Sequence, residues 1–76
     1  MAKELKRSLT IAGHRTSLSL EPEFWQALQA AAAERKVSIA VLVGEIDEAR
    51  GDRNLSSAIR VWLLKSLTQA ALLGGR

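Results

Sequence analysis

The stretch His14-Arg15-Thr16-Ser17-Leu18-Ser19-Leu20-Glu21-Pro22-Glu23-Phe24-Trp25 changes its period halfway along. Up to Leu20, the series Thr16, Leu18, Leu20 alternates with Arg15, Ser17, Ser19. That alternation is the pattern of a half-buried strand. At Glu21-Pro22 it stops. Proline suits the first position of a helix, and Glu21 and Glu23 suit the positive end of the helix dipole. Phe24, Trp25, Leu28, Ala31 and Ala32 then recur at helical spacing, which predicts a helix from about Pro22 to Arg35. Ala30–Ala33 adds high helix propensity.

Upstream of this stretch, period two already begins at Arg7. Leu9 and Ile11 alternate with Ser8 and Thr10, and the apolar parity flips across Ala12-Gly13-His14. Glycine there implies a turn or a bulge. The segment is therefore either two short strands or one strand with an irregular lead-in. Residues 1–6 read as a flexible basic arm. Downstream, Ser38 is placed to cap a second helix starting at Ile39. Ile39, Val41, Leu42, Val43 and Ile46 make that helix apolar on most of its circumference, so it should be buried on more than one side. Gly51 marks its end. Asn54 or Ser56 caps a third helix with Leu55, Ile59, Trp62, Leu63 and Leu67 as its apolar stripe. It should run to about Leu73, leaving 74–76 as a frayed tail.

The chain has 76 residues, about half of a typical domain, with 47% apolar and 25% charged residues. It has no cysteine, one histidine and no tyrosine. Disulfides are impossible, and a metal centre or a catalytic triad has almost no raw material. No metal, no cofactor and no catalytic residues are expected, and the chain does not read as an enzyme. His14 reads as a turn residue. Trp25 and Trp62 read as core, and Glu45, Asp47 and Glu48 as a solvated face. No apolar run is long enough to cross a membrane, and the start lacks the apolar stretch of a signal peptide. A cytoplasmic protein is the expectation, nucleoid-associated when DNA-bound.

Net charge is only +3, but its distribution is uneven. Residues 1–20 carry Lys3, Lys6, Arg7 and Arg15 against Glu4. Residues 21–50 carry six acids and three bases, and residues 51–76 are basic again. A basic end ahead of an acidic middle fits one surface facing a polyanion.

Strand Thr16–Leu20 needs a partner, because an isolated strand leaves its backbone N–H and C=O groups unpaired. Either Ser8–Ile11 folds back on it as a hairpin, or it pairs with its twin in a second chain. The second solution also enlarges a core that is small for a chain of this length, so a twofold dimer is favoured.

The order of strand, Glu-Pro, helix, serine turn and apolar helix resembles the ribbon-helix-helix family of DNA-binding proteins. The residues that carry it are Arg15–Trp25, Lys36-Val37-Ser38-Ile39 and Val41-Leu42-Val43. Lys6–Ile11, His14–Leu20, Phe24-Trp25 and Asn54–Ser57 narrow it to a subgroup of short bacterial members. The likeness covers about residues 6–68, within a domain at 7–73 that includes a C-terminal helix extension. It implies a mostly α fold, β-α-α plus a third helix, in an intertwined homodimer. An intermolecular two-stranded antiparallel ribbon would enter the major groove of double-stranded DNA. On this pattern Thr16, Leu18 and Leu20 face the core, and Arg15, Ser17 and Ser19 face base edges. The start of the second helix, Ser38 and Ile39, would give backbone N–H groups to a phosphate, with Lys36 beside it. Lys3, Lys6 and Arg7 would follow the phosphate backbone. The implied function is a transcriptional regulator, a repressor or autoregulator. The alternative is a protein-interaction module, an antitoxin-like dimer that binds a partner protein through its C-terminal helix.

Overall fold

The structure is a computed structural model that describes residues 4–74, with side chains to residue 69. The chain runs β1 (Leu5–Ile11), β2 (His14–Leu20), α1 (Pro22–Arg35), α2 (Ile39–Ala49) and α3 (Leu55–Gly74). β1 begins at Leu5, so Leu5 and Lys6 belong to a strand rather than to the arm. The rest of the expected arm, residues 1–3, lies outside the described residues, as does the tail beyond Gly74.

β1 and β2 form an antiparallel hairpin with Ile11 opposite His14 and Leu5 opposite Leu20. Two residues close it, Ala12 at φ 52° and Gly13 at φ 83°. Positive φ at both central positions matches the twist of flanking strands. The two-residue turn also accounts for the parity flip: it sets odd positions of β1 opposite even positions of β2. Leu9 and Ile11 therefore share a face with Thr16, Leu18 and Leu20.

Of the two partners the sequence leaves open to β2, the chain itself supplies the first: β1 pairs with it along its whole length. Proximity favours this pairing, since closing a short loop costs little entropy.

α1 starts where Glu21 C=O accepts the N–H groups of Phe24 and Trp25 at 2.9 and 3.0 Å. It ends at Lys36, which takes the left-handed conformation at φ 59°. Lys36 N–H donates to Ala33 C=O and Val37 N–H to Ala32 C=O, a Schellman closure. Ser38 Oγ accepts from Val41 N–H at 3.1 Å and so caps α2. Asn54 caps α3, its Oδ1 accepting from Ser57 N–H at 2.8 Å. Ser56, the other candidate cap, instead donates from its hydroxyl to Ser19 C=O at 2.9 Å and ties α3 to β2.

Every element contributes to one core. Leu18, Leu20, Leu28, Leu42, Val43 and Ile59 are its fully buried side chains. Trp25 is buried, and its indole N–H donates to Leu5 C=O at 2.9 Å, pinning the start of β1. Trp62 is only half-buried, packing against the core while the Arg35 guanidinium lies over its ring at 5.6 Å. Gly44 brings α2 close to β1, since a Cβ there would meet Ile11 Cγ2 at 3.3 Å.

Candidate nucleic-acid interface

Alternation along the hairpin separates two faces. The inner face carries the leucines and isoleucine described above. The outer face carries three cross-strand pairs, Lys6 with Ser19, Ser8 with Ser17, and Thr10 with Arg15. All but the half-buried Ser19 are exposed. No side chain of the six makes a hydrogen bond or ion pair to another described residue, and none is a carboxylate. The face is therefore polar, cationic and uncommitted.

Arg15, Ser17 and Ser19 lie together on this face, as the alternation predicts, and Lys6 joins them. Arg7 does not. It is opposite Leu18, on the inner side, and its guanidinium sits 5.2 Å from the Trp25 ring centroid. Lys3 lies outside the described residues. Lys36 is exposed at the end of α1, two residues before the cap of α2. Ser38 has spent its hydroxyl on Val41 N–H. The N–H groups of Ile39 and Ala40 have no acceptor among the described residues, which keeps the positive end of α2 open. Ala40 and Val41 border a shallow hollow with Thr10, Ile11 and Ala12, so the first turn of α2 adjoins the tip of the hairpin.

The acidic part of α2 fences the same hollow. Glu45, Asp47 and Glu48 line it. Glu45 is paired with Arg35 at 3.2 Å and Asp47 with Arg50. Glu48 has no ion-pair partner among the described residues, so it would repel a phosphate approaching from that side.

Two features are invisible to a residue-by-residue reading. Ser8 and Thr10 share the outer face only because the turn has two residues. Arg60 reads from sequence as a surface cation, yet it joins three elements. It contacts Glu21 at 3.0 Å and Glu4 at 3.2 Å, and its guanidinium lies over the Phe24 ring. Its charge is neutralised there. The Glu21 carboxyl is held below its ordinary range, mainly by its backbone hydrogen bond and next by Arg60.

Hairpin, three helices and an uncommitted cationic outer face define a small ribbon-and-helix domain. The family model of the ribbon-helix-helix domain matches residues 5–67, and the chain belongs to that family. Its fold is typically that of DNA-binding transcription regulators and is not enzymatic. No curated protein and no solved structure shows significant similarity to the chain. Among the described residues, no helix is long and apolar enough to cross a membrane.

Proposed function

We propose that the chain is a homodimeric transcriptional regulator, a repressor or autoregulator. It acts by occupying double-stranded DNA with its hairpin in the major groove. The observation that carries this reading is the outer face: exposed hydroxyls, one lysine and one arginine, with no carboxylate and no internal partner. Arg15 reaches guanine O6 and N7, the commonest specific contact, and Ser17 and Ser19 meet base edges. Lys6 and Lys36 pair with phosphates, as does Lys3 ahead of β1. Arg7 reaches the groove wall from the edge of the hairpin, stacked on Trp25. The open N–H of Ile39, behind the Ser38 cap, receives one further phosphate oxygen.

A single hairpin offers little reading surface, so a second copy on the next turn of the duplex is part of the proposal. The chain measures 41 × 31 × 25 Å. Two copies reading successive half-sites would have to set their reading elements roughly 34–36 Å apart, one helical turn of DNA. The protein would then act in the cytoplasm, at the nucleoid when bound.

Fluorescence anisotropy with a random-sequence duplex tests this. The six lysines that a dimer sets on phosphates predict about a thousand-fold loss of affinity between 50 and 200 mM salt. No binding at the lower salt would refute the reading. A second reading has its own observation. A hollow of about 390 Å³ between α1 and α3 is lined largely by Phe24, Ala27, Leu63, Leu64 and Leu67. Leu64 and Leu67 are 64% and 62% exposed. That apolar surface suits a protein partner on the C-terminal helix, as in an antitoxin-like module. Failure to bind DNA even at low salt would favour it.

A further inference from the structure

Among the described residues, Leu64 and Leu67 are the most exposed large apolar side chains. A lone exposed leucine is ordinary. These two are continuous with a furrow between α1 and α3. One hollow of about 390 Å³ lies between Phe24 and Ala27 on one side and Leu63, Leu64 and Leu67 on the other. A second, of about 200 Å³, continues it past Ala30, Ala31 and Glu34, and the two share Ala27, Leu63 and Leu67. We propose that this furrow joins copies of the chain: the Leu64–Leu67 ridge of one copy seats in the furrow of another, and the reverse. The contact is separate from the hairpin and does not depend on the DNA-binding reading. Whatever assembly the hairpins make, the furrow doubles it.

Shape and charge both fit a second copy. Ridge and furrow lie side by side on one surface, so a twofold rotation about an axis along the furrow brings each ridge to the other copy's furrow. Ala27, Ala30 and Ala31 line the α1 wall, and their small side chains let a leucine ridge come close. The same rotation lays α3 of one copy over α1 of the other. Glu23 and Glu34 on α1 border the furrow and have no ion-pair partner among the described residues. α3 has no carboxylate, and its Lys65, next to the ridge in sequence, has no ion-pair partner among them either. Unlike charges therefore meet across the contact, and like charges stay apart. A polyanion gains nothing here, because Arg60 at the furrow's mouth is already held by Glu21 and Glu4.

Size sets the strength. α1 and α3 have 14 and 20 residues, which makes them about 21 and 30 Å long. Two helices about 10 Å wide then offer a footprint of about 500 Å² per copy, or about 1,000 Å² in the pair. That is the lower end for a specific interface, so the pairing should be weak and should follow concentration. Placement leaves the hairpin free. Arg60 ties the furrow's mouth to Glu4 and Glu21, at the open end of the hairpin. The first turn of α2 adjoins the opposite end, the tip. Copies joined through the furrow therefore keep the outer face of the hairpin, Lys36 and the Ile39 N–H open.

Sedimentation equilibrium from about 1 µM to about 1 mM tests this. At the highest concentration the wild type should have twice the mass of Leu64→Glu. The variant's dissociation constant for this step should rise at least about ten-fold, because the contact would bury a new carboxylate near Glu23 and Glu34. Leu64 is exposed, so the melting curve should not change. Gln29→Glu adds the same charge at an exposed position of α1 that does not line the furrow, and its mass should follow the wild type. Equal masses for wild type and Leu64→Glu at every concentration would overturn the proposal and leave the furrow to another protein. An equal loss of mass in Gln29→Glu would also overturn it, since added charge alone would then explain the effect. If Leu64→Glu unfolds, Leu67→Ser, at the other exposed leucine of the ridge, supplies the same comparison.

Discussion

On the inner face of the hairpin Leu18 and Leu20 are 1% and 0% exposed, whereas on the outer face Ser8, Thr10, Arg15 and Ser17 are open to solvent. The two faces share one backbone and one register. The inner side chains touch three helices and are fixed by them. The outer ones make no side-chain hydrogen bond or ion pair to another described residue. On the proposed reading, stability resides on one face and recognition on the other, and substitutions should separate cleanly. The largest effect is expected inside. Leu18→Ala should cost about 2–5 kcal/mol of unfolding free energy, through reduced burial and the cavity left behind. Ser17→Ala, its neighbour in sequence, should stay within about 0.5 kcal/mol. Urea titration of both measures the contrast. A Leu18→Ala cost below that of Ser17→Ala would show that the hairpin does not unfold with the helical core.

Next in size is the mirror experiment on the outer face. Arg15→Ala should weaken DNA binding by about 1–3 kcal/mol at fixed salt, the worth of one bidentate arginine–guanine contact. Its melting temperature should remain within a few degrees of wild type. Unaltered affinity would mean that the reading surface lies elsewhere. Glu48→Gln, next to the hairpin tip, should shift affinity the opposite way and by less, because it removes a repulsive charge from one flank.

Much of this was legible in the chain. The break at Glu21-Pro22 set the boundary of α1, and Ser38 set that of α2. Strict alternation assigned Arg15, Ser17 and Ser19 to one face. The origin of β2's partner was not legible, because the same alternation serves a hairpin and a shared ribbon equally. The deciding feature was the conformation of Ala12, a residue that seldom takes positive φ and gives no turn signal of its own. Arg7 and Lys6 carry like charges, but parity puts Arg7 on the side of Trp25, a distinction that only the register makes plain. Arg60 joins Glu4 and Glu21 across 56 and 39 positions of sequence, contacts that no local pattern encodes.

The turn that creates the two faces is strained, and relieving it sharpens the comparison. Ala12 is exposed at φ 52° and Lys36 at φ 59°. The left-handed region costs a residue with a Cβ about 1–2 kcal/mol, partly offset for glycine by its greater freedom when unfolded. Ala12→Gly and Lys36→Gly should each raise stability by about 0.5–1 kcal/mol. Ala12→Gly should leave DNA binding unchanged, whereas Lys36→Gly should also lower the salt slope by about one unit for each phosphate it no longer neutralises. A destabilised Ala12→Gly would show that the hairpin does not close through a turn with two left-handed residues.

The smallest effect concerns the ion pair that fastens α3 to the start of α1. The Glu21 carboxyl titrates below its ordinary value because its backbone hydrogen bond, and then Arg60, favour the charged form. A carboxyl whose folded value is depressed binds its proton more readily when unfolded. Its contribution is therefore complete above the ordinary glutamate value, about 4.3, and disappears as pH falls through the lower folded value. Glu21 and Arg60 are both about one-third exposed, so solvent screens the pair and the effect is modest. Glu21→Gln should lower the urea midpoint slightly at neutral pH and flatten its decline between about pH 5 and pH 3. Equal acid sensitivity in variant and wild type would place the acid-labile contact elsewhere, with the pair of Arg60 and Glu4 the next to test. The outer face has no carboxylate, so lowering the pH in this range should not change its charge, and the two faces would differ here as well.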